Sequence, residues 1–459
     1  MWGLERNEFK KSDEFRFFKE DKKNDKSLYF VSDLGKRVLT DKVGKEIWNA
    51  LPASGERICE KVREKYWVSL RLVYEFLSVL SYARIIRSDP PLSHQPNPEK
   101  KEASPQTTNK DLVSVILVTH NGQDYIKACL NSIFRQTYEK IEVICVDNHS
   151  ADKTVSLIEE NFPQVRIKAL KKNHHYARGI NKGLKQAQGS YFFILNQDTE
   201  LDKDCVRNLV KKAASVPKAG AVVPMMKFAK LRTFINGIGN QVSDRSWGTD
   251  NYIYCVDFNQ FQDLKEVPSA CFGAVLLRRE AVEKVGKADP GYGSFYEDVD
   301  WSFRCWYQGW KVVPEPEAVV FHEFGGSYKQ GKKLFFAVRN RLRLVLKLFQ
   351  RRVMLGFLRK YIKEDIRSGL SFLKKGQLWK IVLYMTAYIS LALYLPEIMV
   401  KRWKALGKKI KGMRERKVLI KNPSFYCCLN PERMMPEINT AVIRRYYRWH
   451  LMKQHKGDI

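Results

Sequence analysis

The stretch GSYFFILNQDTEL, Gly189 to Leu201, decides the reading of the fold. Tyr191 to Leu195 form an apolar run with the composition of a buried strand, and the run stops abruptly at Asn196, Gln197 and Asp198. In an open α/β sheet that boundary, the C-terminal end of a strand, is where ligands are held. Only one of the three polar residues is charged. If Asp198 ligates a metal, its partner must come from elsewhere in the chain.

Outward from that stretch the chain alternates strand and helix. LVSVILVTH, IEVICVDN, VRIKAL and SYFFIL read as strands; YIKACLNSIFRQ, ADKTVSLIEENF and ARGINKGLKQAQ read as the helices between them. Uninterrupted apolar strands joined by helices predict a mainly parallel sheet covered on both faces. Polar residues gather at the predicted strand ends: Thr119 and Asn121, Asp147 and Asn148, and Asp198. A carboxylate placed like Asp147 can accept a hydrogen bond from the ring N–H of uracil or thymine, whereas Ser150 and Asp152 read as caps of the next helix. The chain contains no Gly-rich phosphate loop, so a nucleotide bound here must be anchored by base contacts and a metal.

At 459 residues the chain is long enough for two or three units, and a hydrophobic share of 44% supports a sizeable core. Asp89 to Lys110, with five prolines, reads as a linker. The expected organisation is a winged-helix-like unit over 1–90, a linker over 91–110, an α/β domain over 111–328 and a basic helical region over 329–459. Nine cysteines without a Cys-x-x-Cys argue against a disulfide framework or a zinc ribbon and for a reducing compartment. The charged N-terminus lacks the apolar core of a signal peptide. These features together predict a cytoplasmic protein, peripheral on the cytosolic face of a membrane.

The net charge of +31 is concentrated late in the chain: from Tyr328 onward there are 32 Lys and Arg against seven Asp and Glu. Those cations are interleaved with Leu, Phe and Val at helical spacing. The 15-residue uncharged run Ile381 to Leu395 is short of the ~20 residues that span a bilayer. The expectation is a set of basic amphipathic helices lying on an anionic membrane surface, with a helix buried against the α/β domain as the alternative. No base-reading motif accompanies the charge, which excludes nucleic acid as the expected partner.

Four motifs carry a family resemblance. SVILVTHNGQDYIKACLNSI, IEVICVDNHSADKT, NHHYARGINKGLKQAQGSYFFILNQDTEL and YEDVDWSFRCWYQGW together resemble a family 2 glycosyltransferase with the GT-A fold, nearest the rhamnosyltransferase-like branch, over Leu112 to Tyr328. The resemblance implies that Asp198 binds a divalent metal, Mg²⁺ or Mn²⁺, that bridges the two phosphates of a nucleotide-sugar. Asn196 replaces the first acid of the usual Asp-x-Asp and would contact the donor. His322 in VVFHEFGGSY is the implied second metal ligand, with Glu323 as the other candidate.

In ADPGYGSFYEDVDWSFRCWYQGW the resemblance makes Asp298 the general base, with Glu297 or Asp300 positioning acceptor or sugar hydroxyls. Inverting transfer needs such a carboxylate opposite the leaving group and positive charge on the departing diphosphate. Arg178 and Asn181 in YARGINKG are further donor-binding candidates, as is Arg304, although a surface helix position suits Arg304 equally. The donor expected is of the UDP or dTDP type, and the acceptor a saccharide or lipid-linked glycan of the cell envelope. His175 and Tyr176 stand where the rhamnosyl branch has Gly-Phe-Ala, which leaves the sugar open. The N-terminal unit resembles the peptide-chaperone domain of the pyrroloquinoline quinone D type in GKEIWNAL and FLSVLSYARII, implying an accessory domain that recruits a peptide or protein. The remaining alternative is a membrane scaffold with a degenerate transferase fold.

Overall fold

The computed structural model describes residues 111–410, apart from short stretches at 230–231, 233–234, 243–247, 254–256, 258–260, 263 and 324–329, together with shorter pieces between 8 and 89. The linker at 91–110 and the residues after 410 lie outside the described residues.

The chain divides into two compact units. In the first, β1 (Glu8–Lys11) pairs antiparallel with β5 (Ala53–Ser54) and β6 (Ile86–Asp89). β2 (Phe15–Lys22), β3 (Asp25–Ser32) and β4 (Arg37–Thr40) form an antiparallel meander. Of the FLSVLSYARII segment only Leu77 and Ile86 are described, and Ile86 opens β6.

The second unit, Ala103–Ile253 with Phe261–Asn430, carries both the α/β domain and the helical region after it. Its sheet begins with β7 (Val113–Thr119), β8 (Ile141–Asp147), β9 (Arg166–Ala169) and β10 (Tyr191–Asn196), all parallel, in the order β10-β7-β8-β9. The reversal of strand order beside β7 opens a crevice at the C-terminal ends of β7 and β10, where such sheets bind ligands. Every residue of β7 is buried, as two covered faces require.

Three helices connect these strands: α1 (Ile126–Phe134), α2 (Thr154–Asn161) and α3 (His175–Leu184). α3 lies flat on the sheet because Gly179 and Gly183 face Val118 and Ile116; a Cβ at either glycine would collide with those side chains.

The rest of the sheet departs from the expected parallel pattern. β11 (Thr199–Leu201) leads into α4 (Cys205–Ser215) and β12 (Ala219–Phe228), beside which β13 (Ile235–Gly237) and the hairpin β14–β15 (Asn240–Val242, Gly248–Asp250) are set. β16 (Ala274–Arg278) is antiparallel to both β10 and β12 and joins the two halves. After α5 (Arg279–Val285) and α6 (Glu297–Tyr307), β17 (Lys311–His322) runs parallel to β12 and antiparallel to β11. The result is a mixed sheet.

Four helices follow: α7 (Gln330–Leu348), α8 (Arg351–Lys374), α9 (Leu378–Leu393) and α10 (Leu395–Ile410). α7 is the buried one, with Leu342, Leu344, Val345 and Leu348 in a core shared with Tyr292, Val299 and Phe303, and Val338 packed against Tyr384 and Ala387 of α9. The helical region is thus continuous with the α/β domain.

Candidate active site

The loop after β7 is stitched to its neighbours before any ligand arrives. Gln197, just past β10, accepts from the His120 amide at 2.8 Å and donates to the His120 carbonyl at 3.1 Å. Asn121, at a left-handed φ of 50°, accepts from the Ala151 amide at 2.8 Å. Asp152 does not cap α2 from the N-cap position, which Lys153 occupies; its Oδ1 takes the Thr154 amide and its Oδ2 the Gln123 amide.

Asp147 takes hydrogen bonds from Thr119 Oγ1 at 3.1 Å and from the Ser150 amide and hydroxyl. Asn148 is committed to the turn before α3, accepting from the His174 amide at 2.8 Å and donating to Asn173 Oδ1 at 3.1 Å. Asn121 and Asn148 therefore shape the crevice as loop anchors.

On the other side of β10, antiparallel pairing of β11 with β17 sets Thr199 opposite His322. The Glu323 amide donates to the Asp198 carbonyl at 2.9 Å, fixing that register. In consequence His322 Nε2 lies 3.5 Å from Asp198 Oδ1. His322 Nδ1 is 2.7 Å from Asn236 Oδ1, a contact that orients the ring so that Nε2 is the nitrogen facing the carboxylate. A carboxylate beside an imidazole oriented in this way suits a divalent cation. Among the described residues no group of three or more His, Cys, Asp or Glu is placed to hold a metal ion, so a cation here would complete its shell with phosphate oxygens and water, as Mg²⁺ and Mn²⁺ commonly do.

The YEDVD segment forms the first turn of α6, where its acids meet the helix's positive end. Asp298 Oδ2 accepts from Asn240 Nδ2 at 2.9 Å and the Phe272 amide at 3.3 Å, and Oδ1 from the Val299 amide at 2.7 Å. Burial nevertheless pushes its carboxyl up to about 6. Burial, together with the neighbouring Asp298 charge, holds Glu297 well above the usual carboxylate range. Glu297 is 4% exposed, and its Oε2 has no hydrogen-bond partner among the described residues. Two adjacent acids with values pushed apart can divide the work, one ionised and one protonated at neutral pH.

Tyr176 ties the two halves together. Its hydroxyl donates to the Phe272 carbonyl at 2.7 Å, and the Phe272 amide donates to Asp298. Burial raises the Tyr176 hydroxyl well above its usual range, and the charges of Glu297, Asp198 and Asp298 all act on it in the same direction. Asp250, pushed up to about 6 by burial, feels both His322 and Asp298. The β10 acid and the α6 acids therefore share one site.

Asp300 does not join them. It is fully buried, bound by Lys347 Nζ at 2.6 Å, Arg304 Nε at 2.8 Å and the Tyr292 hydroxyl at 3.1 Å. Arg304 spends its remaining donors on the Val285 and Lys287 carbonyls. Both residues hold α6 in place, and neither is presented to a sugar. Asn181 Nδ2 donates to the Ala288 carbonyl at 2.8 Å; its Oδ1 is buried without a partner among the described residues. Asn196 ends β10 with its amide on the Gly273 carbonyl at 2.9 Å. Arg178 is exposed and lines a cleft of ≈ 470 Å³.

Sequence reasoning missed Asn236, Asn240 and Asp250, which sit in a segment without periodicity, and gave no role to Gln197 or Tyr176. It also missed what holds the loop before α6. Asn340 Nδ2, from α7, donates to the carbonyls of Tyr292, Ser294 and Phe295 at 3.0, 2.8 and 2.8 Å. Asp289 is bound by Lys347 at 2.7 Å, Arg343 at 3.5 Å and Lys401 at 2.5 Å, and these cations hold its carboxyl far below the usual range against the cost of burial.

The sheet and its strand-end acids define a sugar-nucleotide transferase domain of GT-A type. Residues 114–286 match the family described as Glycosyl transferase family 2. The match ends before Glu297. The poly-beta-1,6-N-acetyl-D-glucosamine synthase of Staphylococcus aureus is 26% identical over 226 residues, 48% of this chain and 52% of that protein. The N-acetylglucosaminyl-diphospho-decaprenol L-rhamnosyltransferase of Mycobacterium tuberculosis is 24% identical over 233 residues, 46% of this chain and 76% of that protein. The chain spans about half the length of the first of these relatives. Among solved structures, a mannosyltransferase of Pyrobaculum calidifontis in complex with GDP-Man and Mn2+ is similar over 75% of this chain and 95% of its own, at 17% identity and a TM-score of 0.43.

Proposed function

We propose that this chain is an inverting, metal-dependent glycosyltransferase that moves a sugar from a nucleoside-diphosphate donor, of the UDP or dTDP type, to a saccharide or lipid-linked acceptor in cell-envelope glycan synthesis. The observation that carries the reading is Asp298: a buried carboxylate, held by three donors, pushed up to about 6 by burial and linked through Phe272 to Tyr176. Ionised at neutral pH, it takes the proton of the acceptor hydroxyl as that oxygen bonds to the anomeric carbon. The bond from that carbon to the diphosphate breaks on the opposite face, and the nucleoside diphosphate leaves with the bonding pair.

Glu297, protonated and with Oε2 unpartnered among the described residues, donates a hydrogen bond to a sugar hydroxyl. Asp198 and His322 would hold the divalent cation, which when bound neutralises the charge that develops on the diphosphate. Asp147 receives the base N–H. The experiment is a thermal-shift screen of nucleoside diphosphates and nucleotide-sugars with and without Mn²⁺, followed by transfer assays on the donor that binds. A metal-dependent shift with one nucleotide class supports the reading; no shift with any donor removes it.

A further inference from the structure

The helices after the catalytic domain present an apolar face that the fold leaves uncovered. Among the described residues, every exposed large apolar side chain except Phe134 falls between Leu355 and Trp403. These residues recur at helical spacing: Ile362, Ile366 and Leu370 along α8, and Val382, Met385 and Ile389 along α9. The opposite face of α9 is also apolar but packed, with Tyr384 and Ala387 against α7. A helix on a water-facing surface places polar residues outward, so a second apolar face implies a second apolar surrounding.

The charge of the same segment identifies that surrounding. α8, α9 and α10 contain 13 Lys and Arg against three Asp and Glu, and exposed Arg359, Lys363 and Arg367 run alongside the α8 stripe. Aromatic side chains suited to a water–lipid boundary, Trp379 and Trp403, sit on the face at 49% and 76% exposure. No single described helix is long and apolar enough to cross a bilayer, and the pair that passes together, Leu378–Leu393 with Leu395–Ala405, is bent by 59°. Shallow burial in one leaflet accounts for the apolar stripes, the flanking cations and the boundary aromatics without requiring the bent pair to act as one span. We propose that the exposed face of α8–α10 docks on an anionic lipid leaflet.

The docked face reaches the active site in two ways. Tyr394, between exposed Leu393 and Leu395, lines the cleft that also contains Arg178, Gly291, Phe336 and Arg339. Lys401 of α10 binds Asp289, where the loop leading to Glu297 and Asp298 begins. Docking therefore sets the cleft mouth at the leaflet surface, within reach of an amphipathic acceptor.

The test is flotation of the intact chain with vesicles of phosphatidylglycerol and phosphatidylcholine, compared with phosphatidylcholine alone. Binding at least tenfold stronger to the anionic vesicles, weakening with salt, is expected. The pair Leu393→Glu and Trp403→Glu should weaken it at least tenfold with the melting curve and nucleotide-induced shift unchanged. The set Arg359→Gln, Lys363→Gln and Arg367→Gln should remove most of the salt dependence. No flotation, equal binding to both vesicles, indifference to these variants, or a concentration-dependent dimer that the Glu pair dissolves would each overturn the proposal. Flotation requires neither donor nor acceptor, so this outcome is separable from that of the transferase reading.

Discussion

His322 Nε2 lies 3.5 Å from Asp198 Oδ1, although the two residues are far apart in sequence. Strand pairing between β11 and β17 brings them together, and Asn236 orients the ring. If the pair holds the cation, His322→Ala should weaken Mn²⁺-dependent nucleoside-diphosphate binding by about tenfold or more while leaving metal-free binding intact. Titration calorimetry with Mn²⁺ and with chelator reads both quantities. An unchanged Mn²⁺ dependence would remove His322 from the metal site.

Asp298→Asn should lower turnover by about a hundred- to ten-thousand-fold, the range typical of a lost general base, with donor affinity kept within about twofold. Loss of donor affinity in parallel with turnover would instead assign Asp298 to binding.

The pH profile follows from the direction of the Asp298 shift. With its value raised to about 6, kcat/KM should fall as pH drops through about 6, and Asp298→Asn should abolish that limb. The stability effect has the opposite sign from ordinary acid denaturation. Between the unfolded aspartate value and about 6 the folded protein binds the proton more tightly, so this group stabilises at low pH and loses that contribution as pH rises through 6. Glu297 and Asp250, also raised, add the same sign. The melting temperature of Asp298→Asn relative to the parent should therefore rise between pH 4 and pH 7.

Asn340→Ala removes three hydrogen bonds to the loop before α6 and should cost about 1–3 kcal/mol of stability. Turnover should fall as well, since that loop leads directly into Glu297 and Asp298. Denaturant unfolding and steady-state kinetics check the two effects separately.

Asp289→Asn takes one of two carboxylate partners from each of buried Lys347 and Arg343, which keep Asp300 and Glu397, and should cost about 3 kcal/mol. Asp300→Asn should behave in the same way, destabilising α6 through Lys347 and Arg304. A variant at 300 that retains full stability but loses turnover would return Asp300 to the catalytic group.

Composition made the parallel half of the sheet legible: β7, β8 and β10 are short apolar runs dictated by burial, and such a constraint is written locally, whereas β9, RIKA, is an exposed edge strand. The antiparallel strands β13 to β15 were not legible, because they are short and their pairing depends on partners far away. The same distinction runs through the site. Asp147 and Asp198 could be nominated because each acid closes an apolar strand, and Asp298 because its segment resembles a family motif. Asn240 and Asn340 could not, since a lone asparagine gives no sign of which carbonyl or carboxylate it meets.

The sequence by itself determined the class of fold, the order of strands and helices from β7 to β10, the motif residues and the concentration of positive charge after residue 328. Tertiary structure alone decided that His322 faces Asp198, that Asp300 belongs to Lys347 and Arg304 instead of to a substrate, and that α7 holds the loop before the base. The physical reason is that periodicity and residue type record whether a side chain is buried, whereas the partner of a buried charge is fixed by distances between segments that only folding brings together.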